Sequence, residues 1–506
     1  MYNARNNIYF TACGIGTLLA VGSSNPVSES YEEYDMNRKE EQLIKVIPSQ
    51  RQLLHQQHEF YSFVHFTVNT FTGKEWGEGK EDPQIFNPAK LDANQWVEAV
   101  KKSGMKGLIL TCKHHDGFCL WPSKYTGHTI ANSPYKNGKG DIVRETADAC
   151  SKAGISFGVY LSPWDRNNLL YGQGKPYDDY FVNQLTELLT GYGEVFSVWF
   201  DGACGEGPNG NKQIYDWDRY YSVIRSLQPN ACISVCGPDV RWCGNEAGDT
   251  RLSEWSVVPA RTRDTEKIAE SSQKQDDEVF RQRKISASDK DLGSREVLAD
   301  EDNLIWYPAE VNTSIRPGWF YHEEEDDQVK SLAELIRVYE NSVGGNATFL
   351  LNIPPTKEGL FHENDVKRLE EFGEYLKNDY AVNLLDSAEL SVDLYEQGYD
   401  INYIRTDDYL SYFKTVDGKT DCTIEICWDK EVAVKHFVLK ENIKLSQRIE
   451  AFSIEAEQDG SFIEVYSGTI VGYKKIITLD INKTTKIRIH ITESRVSPTL
   501  SFVGIY

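Results

Sequence analysis

The sequence predicts an α/β fold: a (β/α)8-like TIM barrel with one irregular unit, followed by a C-terminal antiparallel β-sandwich. Three observations carry this. From about residue 50 to 378, short runs that are apolar on both faces alternate with amphipathic stretches of helical period. That is the pattern of a parallel sheet covered by helices. From about 379 to 506 the period drops to two, with polar turns between the runs, as in a sandwich. At 506 residues the chain has room for both domains.

Taken in order, residues 1–25 carry Arg5, then a mostly apolar run over 8–21, then small residues. This is the order of a secretory signal peptide, so an exported protein, periplasmic or secreted, is expected. The run is too short and Gly-rich to span a membrane. Residues 26–49 read as a leader. Strands are expected at "FVHFTVN" (63–69), "GLILTCK" (107–113), "SFGVYLS" (156–162), "VFSVWFD" (195–201), "ACISVCG" (231–237), "IWYPAEV" (305–311) and "NATFLLNIP" (346–354). The clearest helix starts at Asp92, a good N-cap, buries Trp96, Val97 and Val100 at helical spacing, and stops at Gly104. Further helices are expected over 142–153, 177–191, 215–227 and 328–342. Seven β-then-α units point to an eightfold barrel with one unit missing or distorted; a doubly wound sheet is the alternative. The polar, charged segment 262–302 breaks the rhythm and reads as a long surface loop on the barrel.

The net charge of −23 leaves no cationic surplus for phosphates, which argues against nucleic acid and anionic membranes as partners. Ten cysteines occur without a CxxC pair, against zinc knuckles and thioredoxin-like redox chemistry. Several lie in apolar strand-like runs, where a free Cys packs as a small hydrophobe. The Trp, Tyr and Phe content of 11, 28 and 21 fills a core first, and its surplus suits the C–H faces of sugars.

In a barrel, functional groups collect at the C-terminal ends of the strands. Those ends supply His65 and Glu75; His114, His115 and Asp116 in "TCKHHDGF"; Tyr160; Asp201; Glu246 in "GPDVRWCGNEAG" and Glu254 in "RLSEWS"; Glu310, then Trp319 in "SIRPGWFYH"; and Asn352. "GEGPNG" follows a strand but opens no helix, so it is no dinucleotide cradle, and the GxSxG and HEXXH motifs are absent. Adjacent His114 and His115 would point to opposite faces of a continuing strand, which disfavours a shared metal. Carboxylates with neutral donors and aromatic rings are the requirements of glycoside hydrolysis, in which one ionised carboxylate attacks and a protonated partner supplies the leaving group's proton. Each residue alone has a plainer reading: Asp201 as a turn cap before Gly202, the histidines as structural hydrogen bonders, Glu246 as a solvated loop acid. Their joint placement on successive strand ends favours chemistry.

"LTCKHHDGFCLWPSKYTGHT", "VWFDGACGEG" and "SIRPGWFYH" resemble motifs of the retaining α-L-fucosidases, glycoside hydrolase family 29, over roughly residues 50–375. The sandwich resembles that family's C-terminal domain. "GPDVRWCGNEAG" and "GACGEGPNGNKQIYDW" resemble the branch acting on α-1,3- and α-1,4-linked fucose. The resemblance implies an exo-acting enzyme on fucosylated oligosaccharides or glycoconjugates, with Asp201 as nucleophile and Glu246 as general acid/base. Glu254 and Glu310 are rivals of Glu246 for the acid/base role. It further implies that His65, Glu75, His114, His115, Tyr160 and Trp319 line the sugar pocket, with no metal and no cofactor. A broad-specificity α-L-fucosidase, or a non-catalytic fucose lectin on the same scaffold, are the alternatives.

Overall fold

Runs of apolar residues too short for helices form the barrel staves. The computed structural model describes residues 41–506 apart from 266–267, 269, 271, 276–278, 280–281 and 284–290. The expected signal peptide, and the leader up to residue 40, lie outside the described residues. Eight strands make one sheet: β1 (Phe60–Val64), β2 (Gly107–Lys113), β3 (Ser156–Leu161), β4 (Ser197–Phe200), β5 (Cys232–Val235), β6 (Arg241–Trp242), β7 (Ala309–Ser314) and β8 (Ala347–Asn352). Their spatial order is β5-β4-β3-β2-β1-β8-β7-β6, with every neighbouring pair parallel. A parallel bridge between Ser234 and Val240 brings the two ends of the sheet together.

Around the sheet run α1 (Gln50–His58), α2 (Ala93–Lys102), α3 (Ile142–Ala153), α4 (Lys175–Gly191), α5 (Trp217–Leu227), α6 (Leu332–Ser342) and α7 (Glu363–Asp379). Side chains cap their starts. Asp92, Asp141 and Asp216 accept backbone N–H groups of the first turns of α2, α3 and α5, and Ser331 with Glu334 forms a capping box on α6. As the spacing predicts, α2 buries Trp96, Val97 and Val100. Its C-cap is Ser103, with Gly104 next in the left-handed region at φ +85°.

The sheet departs from the predicted strands in three places. The first strand ends at Val64 and not at 69, because Thr67 caps a short helix, Val68–Thr72, by accepting the Asn69 N–H. The expected strand 305–311 is two: Leu304–Trp306 pairs antiparallel with Val257–Pro259 outside the barrel, and β7 runs on to Ser314. The eighth stave is the two-residue β6, inside a stretch that reads as loop; no helix separates it from β5.

The C-terminal sheet is antiparallel and runs Glu389–Val392, Cys422–Lys440, Lys475–Ser494, Ile449–Gln458, Ser461–Gly468, with Phe502–Ile505 added against Cys422–Lys440. Two of these strands are long, Cys422–Lys440 and Lys475–Ser494. Bulges between Cys427 and His436 bend the first, and apolar residues of both its halves, Ile424 and Ile426 with Phe437 and Leu439, share one core. This unit grips the barrel below β1: buried Glu59 meets Lys440 Nζ at 3.3 Å, Lys474 Nζ at 2.9 Å and the Tyr473 hydroxyl at 2.9 Å. Among the described residues, no helix is long and apolar enough to cross a membrane.

Candidate active site

Alternation along each strand explains which side chains reach the barrel mouth. Tyr61, Phe63, Tyr160, Trp199 and Leu350 pack together in the barrel interior, while Phe60, Val64, Val159, Val198, Phe200, Phe349 and Leu351 join the cluster that includes the helices. A step of two from Phe63, Trp199 and Leu350 lands on His65, Asp201 and Asn352. Of these inward positions Asn352 backs His65, and His65 and Asp201 line a pocket with about 640 Å³ of empty space, open mouth included. His65, Glu75, His114, His115, Asp201, Glu246 and Trp319 all line it. Five segments far apart in sequence thus meet at one end of the barrel.

Asp201 follows β4 directly. Its Oδ1 accepts the Ala203 N–H at 2.8 Å and its Oδ2 accepts the Tyr160 hydroxyl at 3.0 Å. Tyr160 is fully buried behind the carboxylate, between His114 and Trp199, with which its ring stacks at centroid distances of 5.6 and 5.3 Å. Burial pushes the Asp201 carboxyl above the ordinary Asp range, against the pull of those hydrogen bonds and the Gly202 N–H. Hydrogen bonding alone would have predicted the reverse; desolvation wins. A Cβ at Gly202 would collide with Ser272 Oγ, so the segment 262–302 reaches the mouth and is not only a surface loop. Ser272 and Gln273 line the pocket.

The histidines are held in defined tautomers. The Asn352 amide N donates to Ser314 Oγ at 2.9 Å and to the Trp319 carbonyl at 2.8 Å, which fixes its Oδ1 toward His65 Nδ1 at 2.8 Å. His65 therefore carries its proton on Nδ1 and presents the Nε2 lone pair. By the same logic the Ser162 hydroxyl donates to the Trp164 carbonyl at 2.7 Å and accepts from His115 Nδ1–H at 2.7 Å. His115 Nε2 then faces Asp201 Oδ2 at 3.8 Å as an acceptor. Burial lowers the pKa of His65 to about 4 and of His115 to about 3, and pushes His114 well below the usual range, so all three are neutral at pH 7. His114 Nδ1 is buried without a hydrogen-bond partner among the described residues. The two adjacent rings lie 4.1 Å apart because β2 stops at Lys113, so they do not splay to opposite faces. His114, His115 and Asp201 offer ligand-type atoms all within 4.8 Å of one another, a trio that could hold a cation.

Glu75 accepts the Trp319 N–H at 2.8 Å and contacts His322 Nε2 at 2.7 Å. Trp319 Nε1 in turn donates to Glu246 Oε2 at 3.3 Å, across the pocket wall.

The sequence model of the α-L-fucosidase family matches residues 17–380. The chain belongs to the α-L-fucosidase family. It is a glycoside hydrolase. The chain is 38% identical over 91% of its length to α-L-fucosidase 1 of Arabidopsis thaliana, covering 87% of that protein. It superposes on the crystal structure of a candidate α-L-fucosidase from Bacteroides ovatus with a TM-score of 0.80 and 44% identity, over 93% of this chain and 76% of that one. A Ruminococcus gnavus glycoside hydrolase family 29 fucosidase, crystallised with fucose, gives 0.79 at 30% identity, over 91% and 95%.

In this fucosidase the two rival acids lie away from the pocket wall. Glu254 is fully buried and ion-paired with Arg241 and Arg251, which hold its carboxyl below the usual range. Glu310 sits on the second residue of β7, deep in the barrel, and not at a strand end as the predicted 305–311 strand implied. Its Oε1 accepts Trp199 Nε1–H at 2.7 Å and its Oε2 accepts the Tyr61 hydroxyl. Asp116 accepts the Thr67 hydroxyl and the Phe118 N–H, a turn device beneath the site. Sequence reasoning missed Trp76, Trp199, Trp242 and Asn312 as pocket walls. Trp76 was findable as the neighbour of Glu75, and Asn312 as the next inward residue after Glu310. Trp242 was not, since two residues carry no strand signal.

Proposed function

We propose that this fucosidase is an exo-acting, retaining enzyme that releases terminal L-fucose by double displacement. One observation carries the reading: Asp201, Glu246 and Glu75 are the carboxyl side chains on the pocket, and Glu75 is tied to His322 and the Trp319 N–H, which leaves Asp201 and Glu246 as the acid pair beside neutral histidines. Asp201 attacks the anomeric carbon while Glu246 gives its proton to the leaving oxygen. Glu246 then takes a proton from water as that water attacks the fucosyl–Asp201 ester, restoring both groups. The Tyr160 hydroxyl and Ala203 N–H aim the attacking carboxylate. The acceptor nitrogens of His65 and His115 suit two sugar hydroxyls, and Trp319 offers an apolar wall to the C5 methyl group, which a hydroxymethyl sugar would fill poorly. Phe63, Trp199 and Val235 at the pocket wall favour a terminal sugar over an internal one. The fucose complex reported for the Ruminococcus gnavus relative supports the sugar.

The motifs around Glu246 and after Asp201 support α-1,3 and α-1,4 linkages, and the order of residues over 1–25 supports export. Incubation with 2-deoxy-2-fluoro-α-L-fucosyl fluoride and peptide mapping test the mechanism: the expected label is on Asp201, and label elsewhere or none overturns it. Asp201→Asn should cut kcat on an aryl fucoside by at least about 10³-fold, the scale of a lost nucleophile. Glu246→Ala should hurt oligosaccharides more than aryl fucosides with good leaving groups. Comparing α-1,2-, α-1,3- and α-1,4-fucosylated oligosaccharides tests the branch, with the α-1,2 substrate expected to be slowest.

A further inference from the structure

Lys113 ends β2, one residue before His114, and is fully buried. Alternation from Ile109, which faces the barrel interior, would aim Lys113 inward. The pairing of β2 with β3 slips between Thr111 and Lys113, and the ammonium meets α4 instead. Its Nζ donates to Asp165 Oδ2 at 3.0 Å and to Gln184 Oε1 at 2.9 Å, and the rings of Tyr180 and Phe181 are centred 5.1 and 5.4 Å away. Asp165 is equally buried, and its Oδ1 accepts the N–H groups of Asn167 at 3.0 Å and Asn168 at 2.9 Å. Burial works against a charge there, yet Lys113 and those N–H groups hold the Asp165 carboxyl below the ordinary Asp range. A desolvated pair of this kind often adds nothing to stability over apolar side chains of the same volume, so its geometry is the better guide to its role.

Three loops of the barrel mouth meet at this pair. A Cβ at Gly117 would come within 2.5 Å of Asp165 Oδ1, so the turn that follows His114 and His115 sits directly on the carboxylate. The Arg166 N–H donates to the His115 carbonyl at 2.9 Å, and the Trp164 ring packs 5.0 Å from His115 and 5.4 Å from Trp76. Arg166 Nη1 donates to the Gly77 carbonyl, and Asn167 Nδ2 to the Gly79 carbonyl at 2.8 Å, on the loop that carries Glu75 and Trp76. Neither Lys113 nor Asp165 is among the described residues that line the pocket. We infer that Lys113 and Asp165 are positioning residues, whose ion pair fixes where His115, Glu75 and Trp76 stand around the bound sugar. The inference rests on the pocket's holding terminal fucose, as proposed above. Asp201 is tied to Tyr160 and Ala203 and not to this pair, so loss of the pair should weaken sugar binding more than it slows the chemistry.

The test combines Lys113→Met with Asp165→Asn in one chain. Methionine keeps the aliphatic bulk and asparagine keeps Oδ1 for the two N–H groups, so no buried charge is left unpaired. Hydrolysis of 4-nitrophenyl α-L-fucoside and its inhibition by L-fucose are then measured on the folded variant. KM and the L-fucose inhibition constant should rise by about 10-fold or more, kcat should fall by less, and the acid limb of kcat/KM should stay in place. Asn167→Ala removes only the tie to Gly79. It should move the same two constants in the same direction by a smaller factor, and it serves if the double variant fails to fold. Lys175→Met with Asp179→Asn, which breaks an exposed pair on α4, should leave every constant unchanged. Unchanged constants in whichever of the first two variants folds, a loss confined to kcat, or an equal rise on breaking the exposed pair overturns the assignment while leaving fucosidase action intact. A wild-type enzyme that neither hydrolyses the aryl fucoside nor is inhibited by L-fucose would instead overturn the function proposed above.

Discussion

Asp201 shows how a single side chain is tuned by competing effects. Burial raises its pKa, and three hydrogen-bond donors oppose that rise without overcoming it. In the proposed mechanism the attacking form is the ionised one, so activity should fail on the acid side earlier than for an ordinary Asp. Removing the Tyr160 hydroxyl removes a contact that lowers the pKa, and the acid limb of kcat/KM should then move to higher pH. Tyr160→Phe keeps the ring stacked on Trp199 and His114. It should cost about 10- to 100-fold in kcat through the lost bond to the carboxylate. A pH–rate profile of the variant checks both, and an unmoved acid limb would separate Tyr160 from Asp201. The same scale supports the proposed acid/base. Glu254 is tied to two guanidinium groups and Glu310 to an indole and a phenol away from the pocket, whereas Glu246, which accepts Trp319 Nε1–H, lines the pocket.

At the scale of the strand, depth along β7 matters as much as which way a side chain points. Glu310 and Asn312 both face inward, but only Asn312 reaches the pocket, where it accepts Trp242 Nε1–H at 2.9 Å. Glu310 lies lower and holds the indole of Trp199, whose ring carries Tyr160 and through it Asp201. Burial raises the Glu310 pKa to about 7. Because the folded pKa exceeds the unfolded one, the folded state binds more protons between about pH 4.5 and 7, and stability falls as pH rises through that window. Glu310→Gln removes the titration. The variant should therefore gain stability relative to wild type on going from pH 4.5 to 7, by at most about 3 kcal/mol at 1.4 kcal/mol per pH unit. Urea unfolding at several pH values measures this; parallel curves for the two proteins would remove Glu310 as the titrating group.

At the scale of the whole molecule, the sandwich grips the barrel at the end opposite the pocket. Glu59, just ahead of β1, is held by Lys440, Lys474 and Tyr473, and Asn346, just ahead of β8, accepts the Tyr473 N–H at 2.7 Å. Such an anchor serves the rigidity of the staves and not the chemistry. Glu59→Gln leaves buried Lys440 and part-buried Lys474 short of a counter-charge, although Lys440 keeps Asp407 at 2.6 Å. It should cost about 3 kcal/mol of stability. Assayed well below its Tm, the variant should keep kcat/KM for an aryl fucoside within about twofold, since neither lysine nears the pocket. A large loss of kcat/KM in the folded variant would mean that the sandwich acts on the site itself.

By itself the sequence determined the class of fold, most of the staves and helices, and the residues that gather at the mouth. Strand-like runs end at His65, Lys113, Asp201 and Asn352 within a few residues, and side-chain alternation with capping chemistry is local information. Only the tertiary structure decided which inward acid is at the surface of the pocket and which is sunk in the barrel, since that depends on where β7 starts relative to its neighbours. It alone made a stave of Arg241–Trp242, whose two residues are strand only because β7 offers them a ladder. It alone set the ionisation of Asp201, because desolvation is a property of everything packed around a group and is written in no single segment of the chain.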